Sequence, residues 1–452
     1  MRRSLLLTAG LTAALTVCAA DSSARRLPAA GGEVVLALPD ALQGPTGDAL
    51  QSVAIAEPVD RALSPTVRAA WPPVPGTAVR SRVLASIATD DFVRWTLTPR
   101  EPSPALTGSI RACFTGGEAP LPWPGRALTA AGLTPRIEDA GGATVVTFSV
   151  PVQPLPELLT GCLLRDKGSA TGAFERADGG RFVARSAGPG GRPLIDAVIV
   201  RGADSPADLS PGDPQTEGGS LLVAPWPDVL LLVLDDPARA ADPLALGPGG
   251  DGLPRFQEAL APELLLAVRH GGRGAGARGL LPPGVGPERP LPGAREPGPP
   301  EVLELRPLAD DAPRLIVRVP TGDPLAVDVA DRLALLLRTK GWRAERGGEG
   351  GPGADILRWR PPVADPALAL LVLAARVQTL DVRPDEAAQL LGGDRSERTA
   401  AALTLERRWI AERRAIPLLT ASRWLVVHPR LRGVRLRGDG VPLLDDAAWS
   451  TP

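Results

Sequence analysis

Residues 314–345 read RLIVRVPTGDPLAVDVADRLALLLRTKGWRAE. The first seven residues are rich in branched apolar side chains, which favours a strand. Asp323 and Pro324 suit the start of a helix, with aspartate as the N-cap and proline in the first position. Apolar residues from 327 to 337 follow the helical period, Gly341 ends the helix, and a second strand begins at residue 343. This strand–helix–strand unit predicts a parallel α/β arrangement.

Shorter β-type runs come before this unit, at residues 33–38, 92–97, 143–150, 182–184 and 197–200. Residues 221–235 are apolar but are interrupted by Pro225 and Pro227, which predicts two buried strands or a strand and a loop. Residues 271–300 are rich in glycine, proline and arginine and predict a long loop or linker between lobes. After the unit, residues 400–414 predict a second helix and residues 424–427 a late strand.

The chain has 452 residues, which suggests two or three domains or lobes. Apolar residues make up 44% and charged residues 22%, so the chain is able to form a packed core. Fifty basic against 51 acidic residues give a net charge of -1, which argues against a nucleic-acid partner. Because the chain has no tyrosine, most polar and aromatic contacts in a pocket must come from other residue types, such as tryptophan, arginine and aspartate.

The N-terminus has the pattern of a secretory signal over residues 1–20. Arg2 and Arg3 precede an apolar run at residues 5–17, and small residues follow it. Residues 15–18 also resemble a bacterial lipobox, with Cys18 as the lipidated residue and Val17 as a departure from the usual pattern. Cleavage after Ala20 and lipidation at Cys18 both remain open. Either way we expect export to the periplasm or the outer face of a bacterial membrane.

Two further cysteines, Cys113 and Cys162, complete the three in the chain. An exported protein meets an oxidising environment, where such a pair forms a disulfide if the two residues come close enough. A disulfide and two separate buried thiols are both compatible with the sequence.

No catalytic motif stands out. The sequence has no HExxH, no G-x-S-x-G and no Walker A motif, and the two histidines, His270 and His428, are far apart. Three G-x-G-x-x-G matches lack the flanking strand, helix and acid that a dinucleotide site needs. We therefore expect no enzyme activity, no catalytic residue, no metal and no cofactor. A secreted hydrolase that uses carboxylates is the remaining enzymatic alternative.

Five blocks, in order, resemble the solute-binding proteins of ABC importers, in the family with oligopeptide-, dipeptide- and nickel-binding members (family 5). They are GSATGAF at 168–174 with GGRPLID at 190–196 and IVR at 199–201, residues 264–284 ending in GLLPPG at 279–284, the unit at 315–345, WRPPVADP at 359–366, and the closing segment 416–449. The resemblance implies an α/β, two-lobed periplasmic binding protein of type II-like architecture. It departs from the family at Ala173, where a proline is usual, and in a shortened region between residues 100 and 143.

The resemblance also implies a division of the chain into domains. Lobe I is expected to be discontinuous, over residues 27–50, 141–312 and 421–452. A reduced small domain is expected at 51–140 and lobe II at 313–420. The chain would then cross between the lobes near residues 307–314 and 417–423.

Candidate ligand-binding residues come from the WRPPVADP block: Trp359, Arg360, Pro362 and Asp365. The resemblance implies that an aromatic at position 359 lines the cleft, while a core tryptophan on the same strand is the competing interpretation. In peptide-binding relatives it implies an aspartate paired with the ligand ammonium at the position of Pro362. Proline carries no charge, so neutral or anionic ligands are expected. Arg358 or Arg360 would then bind an anion, or would simply be solvated.

These observations favour an extracytoplasmic substrate-binding subunit that captures a small-molecule or peptide-like solute between two lobes. The expected partners are ABC permease subunits, with membrane anchoring if a lipid is attached to Cys18, and the expected state is a monomer. The alternative is a degenerate structural or sensory relative with no transport role.

Overall fold

The computed structural model describes residues 28–29, 31–38, 60–61, 79–80, 84–100, 105–116, 121–162, 165–166, 169–170, 174–177, 181–185, 192–202, 207–211, 219–224, 226–235, 274–286, 314–320, 323–339, 343–347, 353–422, 424–436, 442–444 and 446–450. The predicted signal segment 1–20, with Cys18, lies outside them, as does part of the predicted linker 271–300. Within these ranges no helix has the length and apolarity needed to cross a membrane.

A six-stranded mixed sheet is built around the strand–helix–strand unit. Its strands in spatial order are β17 (Gly274–Gly276), β21 (Ala415–Ala421), β16 (Asp228–Leu234), β20 (Gly353–Trp359), β18 (Arg314–Arg318) and β19 (Arg343–Arg346). β18 runs parallel to β19 and to β20, and helix α4 (Pro324–Thr339) connects β18 to β19. The predicted parallel α/β unit is confirmed.

Both faces of this sheet are covered, which explains why every residue of β16 is buried. Leu230, Leu232 and Leu234 point to the face covered by α4. Their neighbours in the strand point to the opposite face, where a second helical layer packs. A strand buried on both sides is apolar throughout instead of alternating, as the sequence of β16 is.

The second helical layer consists of α5 (Pro366–Arg376), α6 (Pro384–Gly392) and α7 (Arg395–Ala411). α5 is the central helix, and residues 366–374 are all buried. Asp394 caps α7 and accepts hydrogen bonds from the backbone N–H groups of Ser396 and Glu397. The predicted helix at 400–414 is therefore present but begins five residues earlier, because the cap lies at Asp394.

The six-stranded sheet and its helices form one lobe, and a seven-stranded sheet forms the centre of the other lobe. Its order is β11 (Phe174–Arg176), β12 (Arg181–Ala184), β13 (Ala197–Gly202), β2 (Glu33–Leu38), β14 (Leu209–Pro211), β22 (Trp424–Val427) and β15 (Ser220–Val223). β12 and β13 form the predicted antiparallel pair, with Phe182 opposite Val198. This sheet has its own apolar core, which includes Leu36, Phe174 and Leu425.

A four-stranded antiparallel sheet forms a third unit, in the order β5 (Leu84–Thr89), β6 (Arg94–Pro99), β8 (Ala143–Thr147) and β7 (Arg136–Ala140). Helices α1 (Ala105–Thr115), α2 (Trp123–Ala130) and α3 (Leu155–Leu159) accompany it. Gly125 of α2 lies so close to α1 that an added Cβ would stand 2.6 Å from the carbonyl oxygen of Cys113. This unit shares an apolar core with α5 and α7.

Four small sheets, with five short pairings, complete the described strands. They are β1 (Pro28–Ala29) and β23 (Leu431–Arg432), both paired with β26 (Ala448–Ser450); β3 (Asp60–Arg61) with β4 (Val79–Arg80); β9 (Arg165–Asp166) with β10 (Ser169–Ala170); and β24 (Arg435–Leu436) with β25 (Pro442–Leu443).

Among the described strands, the chain passes between the seven-stranded and the six-stranded sheet at two neighbouring places. Residues 224–227 connect β15 to β16, and residues 422–423 connect β21 to β22. The second lies inside the expected interval 417–423, whereas residues 307–313 of the other expected interval lie outside the described part of the chain. β16 and β17 therefore share a sheet with strands of 313–420, although the expected boundaries put them in lobe I. The reason is that β16 pairs on both sides, with β20 and β21.

Candidate functional site

Charged residues collect at one edge of the six-stranded sheet, beside the two crossings. The parallel strands β18 and β20 both run towards this edge, although β18 stops at Arg318, level with Asp355, and the antiparallel β16 begins at the edge with Asp228. Asp323 follows β18 and precedes α4, where its side chain accepts a hydrogen bond from the backbone N–H of Ala326 at 3.2 Å. The edge beyond the carboxyl ends of strands is where open α/β sheets usually bind ligands.

Asp228 is the centre of this group, which we call the Asp228 cluster: Asp228, Asp323, Arg358 and Arg360. The Asp228 side chain is 1% exposed. Arg360 donates to both of its oxygens, from Nε to Oδ1 at 2.6 Å and from Nη2 to Oδ2 at 2.9 Å. Arg358 donates from Nε to Oδ2 at 2.6 Å and approaches Asp323 at 3.4 Å. One buried carboxylate thus orients two arginines.

The carboxylates of Asp228 and Asp323 also shift the pKa of Arg358. Burial disfavours its charge, but the charges of Asp228 and Asp323 and their hydrogen bonds outweigh the burial and raise the pKa of Arg358. Arg358 is therefore a fixed cation. The side chains of Arg358 and Arg360 are 32% and 20% exposed, so part of each still faces solvent.

Two further arginines extend the positive charge away from the cluster. Arg376, at the end of α5, donates from Nη1 to the carbonyl oxygen of Arg358 at 3.3 Å. Its pKa is lowered, first by desolvation and then by the positive charges of Arg126 and Arg360. Arg126 comes from α2 of the four-stranded unit. These interactions place α2 near β20 and the end of α5, which are remote from α2 in sequence.

A recess with a volume of about 400 Å³ lies next to Arg126. It is lined by residues of α2, of the end of α5 and of the following loop: Leu121, Arg126, Thr129, Ala130, Ala374, Ala375, Leu380, Asp381 and Val382. The lining is mostly apolar with a few polar groups, as in sites for small organic molecules.

The structure places Trp359 in the apolar core, not in a cleft. Its side chain is 2% exposed, on the β20 face that packs against the α5 layer. Trp359 Nε1 has no hydrogen-bond partner in the described part of the chain. Of the two interpretations of this tryptophan, its position corresponds to the core residue.

Asp365 is a structural residue, because both of its carboxylate oxygens bind within the protein. One oxygen accepts a hydrogen bond from the backbone N–H of Leu368 at 3.0 Å and so caps α5. The other accepts one from Nη2 of the fully buried Arg398 at 2.7 Å. Pro362 lies three residues before Asp365 and is half-buried. Of the four candidates in this block, Arg360 is the one that the structure places in the charged cluster.

Cys113 and Cys162 form a disulfide, with their Cα atoms 5.3 Å apart. It joins α1 to the segment after α3, inside the core of the four-stranded unit. No group of three or more metal-ligating side chains occurs among the described residues.

The sequence alone did not single out Asp228, Arg126 or Arg376 as site residues. Asp228 comes directly after Pro227, and the interruption of the apolar run by Pro225 and Pro227 was the signal in the sequence that could have pointed to it. Arg126 and Arg376 have no local motif. They become neighbours only because α2 packs against α5.

Sequence comparisons find no relatives: no family model matches the chain, and no curated protein does either. Solved structures do match. A dipeptide binding protein from Pseudoalteromonas sp. SM9913, in complex with Met-Leu, has a TM-score of 0.68 at 11% identity and covers 92% of this chain and 100% of its own. DppA from Helicobacter pylori, an ABC transporter-associated periplasmic binding protein in complex with the peptide STSA, has a TM-score of 0.65 at 13% identity and covers 94% and 99%.

NikA from Brucella suis, in complex with Fe(III)-EDTA, gives a TM-score of 0.63 at 14% identity and covers 92% of this chain and 100% of its own. These three are family 5 solute-binding proteins, and their likeness extends over almost the whole chain. The protein therefore has the α/β, two-lobed fold of that family, as the ordered sequence blocks predicted.

Proposed function

We propose that this protein is an extracytoplasmic substrate-binding subunit of an ABC importer, which captures a small solute between its two lobes. The observation that carries the proposal is the Asp228 cluster at the carboxyl edge of the six-stranded sheet, beside both crossings. Two short adjacent connections are suited to act as a hinge, and hinge closure around a ligand is how such proteins work. Arg360 is our first candidate for a ligand contact.

The partner and the location follow from the same proposal. A captured solute has to be handed to permease subunits in the membrane, and the N-terminal pattern at residues 1–20 favours export. The neighbours with this fold support such a partner, since one of them is described as ABC transporter-associated. We propose a monomer in the periplasm or at the outer face of the membrane, anchored if Cys18 carries a lipid.

A thermal-shift screen of the purified mature protein tests the proposal. The panel would contain the dipeptide Met-Leu, the peptide STSA, Fe(III)-EDTA, sugars and small organic anions. A ligand that binds only the folded state stabilises it by about 2.7 kcal/mol at a concentration 100 times its Kd. We expect at least one class to raise the melting temperature in a concentration-dependent way.

Two variants make the screen specific. Arg360→Gln removes a cluster guanidinium and is expected to weaken the shift, whereas Arg192→Gln removes an exposed arginine paired with Asp196 in the other lobe and is expected to leave it unchanged. If no class of compound shifts the wild-type melting temperature, the capture function is wrong and a structural or sensory role gains support.

A further inference from the structure

The Asp228 cluster has its acids on the inside and its arginines on the outside. The side chains of the two acids, Asp228 and Asp323, are 1% and 11% exposed. Those of Arg358 and Arg360 are 32% and 20% exposed. The cluster contains two charges of each sign, but a solute that approaches this edge of the sheet meets guanidinium groups before it meets carboxylates.

Both arginines keep hydrogen-bond donors that the cluster does not use. Arg360 binds Asp228 through Nε and Nη2, and no described residue accepts a hydrogen bond from its Nη1. Arg358 binds Asp228 through Nε, its Nη1 reaches Asp323 only at 3.4 Å, and its Nη2 has no described acceptor. A guanidinium carries five N–H donors, so each arginine is able to bind an external acceptor while it stays bound to Asp228.

Two contacts fix the segment that carries Arg360. Asp228 orients the guanidinium group, and Trp226 donates from Nε1 to the carbonyl oxygen of Pro361 at 3.1 Å. Trp226 belongs to residues 224–227, which connect the seven-stranded sheet to the six-stranded sheet. The donors of Arg360 are therefore held in place beside a crossing between the lobes. Groups that are ordered in advance lose less conformational entropy when a ligand binds.

Arg376 adds a third positive charge beside the same strand end. Its exposed side chain donates from Nη1 to the carbonyl oxygen of Arg358 at 3.3 Å, and it forms no ion pair with a described acid. Among the described residues, three arginines therefore stand against the two buried acids of the cluster at this edge, which leaves one positive charge in excess.

A second group of ion pairs on the same sheet has the opposite arrangement. Arg318 lies between Asp235 and Asp355, at distances of 2.6 and 2.8 Å. Here the two acids are 43% and 50% exposed and the arginine is 36% exposed, so two carboxylates face solvent beside one guanidinium. An approaching anion would meet like charge there, and Arg318 is therefore a matched control for the arginines of the Asp228 cluster.

We propose that Arg358 and Arg360, held by Asp228, bind the anionic end of a small solute, a carboxylate or phosphate group. Guanidinium groups suit such multi-oxygen anions because they donate parallel, charge-assisted hydrogen bonds. Pro362 follows two residues after Arg360 and carries no charge, so it adds no carboxylate that would repel the anion. This inference rests on the proposed function, since it names the substrate class of the same site.

Calorimetry with matched pairs of probes tests the ligand class. The carboxylate probe is N-acetyl-Met-Leu, and its neutral match is the C-terminal amide of the same compound. The phosphate probe is glycerol 3-phosphate, and its neutral match is glycerol. We expect the wild type to bind at least one of the two acids at least tenfold more tightly than its neutral match. Its affinity is also expected to fall as salt is added, because both arginines are partly exposed.

Variants locate the binding. Arg358→Gln and Arg360→Gln are each expected to weaken binding of the acid about tenfold or more, the effect of losing a hydrogen bond between charged groups. Arg360→Lys keeps the charge but loses the paired donors, so its affinity is expected to fall in between. Arg318→Gln is the control and is expected to bind the acid as the wild type does. Melting curves without ligand separate a loss of folding from a loss of binding.

The outcomes separate this inference from the proposed function. The anion subsite is overturned if a neutral probe binds as tightly as its acid, or if Arg358→Gln and Arg360→Gln bind the acid as tightly as the wild type. It is also overturned if other solutes of the thermal-shift panel bind while neither acid does. In these cases the solute-binding function stands, and the cluster serves the fold alone. If neither these probes nor the broader panel bind at all, both ideas are overturned.

Discussion

Asp228 holds the charged edge of the six-stranded sheet together. It accepts three hydrogen bonds from Arg358 and Arg360, and its own side chain is almost fully buried. Removing one partner of a buried ion pair lowers the folding stability by more than the net contribution of the pair, because the remaining charge stays buried without a counter-charge. We expect Asp228→Asn to lower the free energy of unfolding by about 3 kcal/mol, as measured by urea denaturation.

The other end of the same strand supplies the control. Asp235 pairs with Arg318 at 2.6 Å, but the two side chains are 43% and 36% exposed. Solvent screens such a pair, so Asp235→Asn is expected to cost less than about 1 kcal/mol. Equal effects of the two substitutions would contradict the central role given to Asp228.

Pro362 leads to a prediction about peptides. At this position the family resemblance implies an aspartate that pairs with the free ammonium of a peptide ligand, and proline offers no such group. Asp365 does not replace it, since both of its oxygens bind within the protein. We expect calorimetry with di- to pentapeptides to show no binding that depends on a free N-terminus. Micromolar binding abolished by N-terminal acetylation would refute this prediction.

At the scale of elements, the disulfide between Cys113 and Cys162 ties α1 to the segment after α3. It closes a loop with a sequence separation of 49 residues. Such a cross-link stabilises mainly by restricting the unfolded chain, and a loop of this length corresponds to about 4 kcal/mol in the chain-entropy model. We expect the double variant Cys113→Ala, Cys162→Ala to lose about 2–4 kcal/mol of unfolding free energy.

The measurement is denaturation with and without reductant. Reductant is expected to weaken the wild type and to leave the double variant unchanged. A wild type that is insensitive to complete reduction of its cysteines would argue against a stabilising role of the bridge.

For the whole molecule, two sheets with separate cores are joined by residues 224–227 and 422–423. Short paired connections permit rotation of one lobe against the other, and a ligand favours the closed form only by binding it more tightly. We expect small-angle X-ray scattering to show a smaller radius of gyration once a ligand from the screen is added. A saturating ligand that leaves the scattering curve unchanged would contradict hinge closure.

Export is the second prediction at this scale. Deleting residues 1–20 is expected to leave the protein in the cytoplasm, because these residues carry the signal pattern. If Cys18 is the lipidated residue, Cys18→Ser is expected to shift the protein from the membrane fraction to the soluble fraction. Fractionation followed by immunoblotting measures both, and export of the deleted protein would contradict the signal.

Some elements were predictable because their signals are local. The unit from Arg314 to Arg346 has a cap, a helical period, a stop residue and flanking β-formers, and all of these act within a few residues. Helix α5 was not predicted, since residues 366–374 are apolar on every side and show no periodic contrast. A helix that is buried all round can be distinguished from a buried strand only by its surroundings.

The sequence by itself was enough to predict the α/β class, the resemblance to a two-lobed family through five ordered blocks, and Arg360 as a candidate ligand-binding residue. The tertiary structure alone decided that Trp359 and Asp365 belong to the core, that β16 joins the six-stranded sheet, and that Asp228 pairs with Arg358 and Arg360. The physical reason is the distance along the chain over which each interaction acts. Caps and periodicity depend on neighbours in the chain, whereas burial and charge clusters depend on which helices and strands pack together.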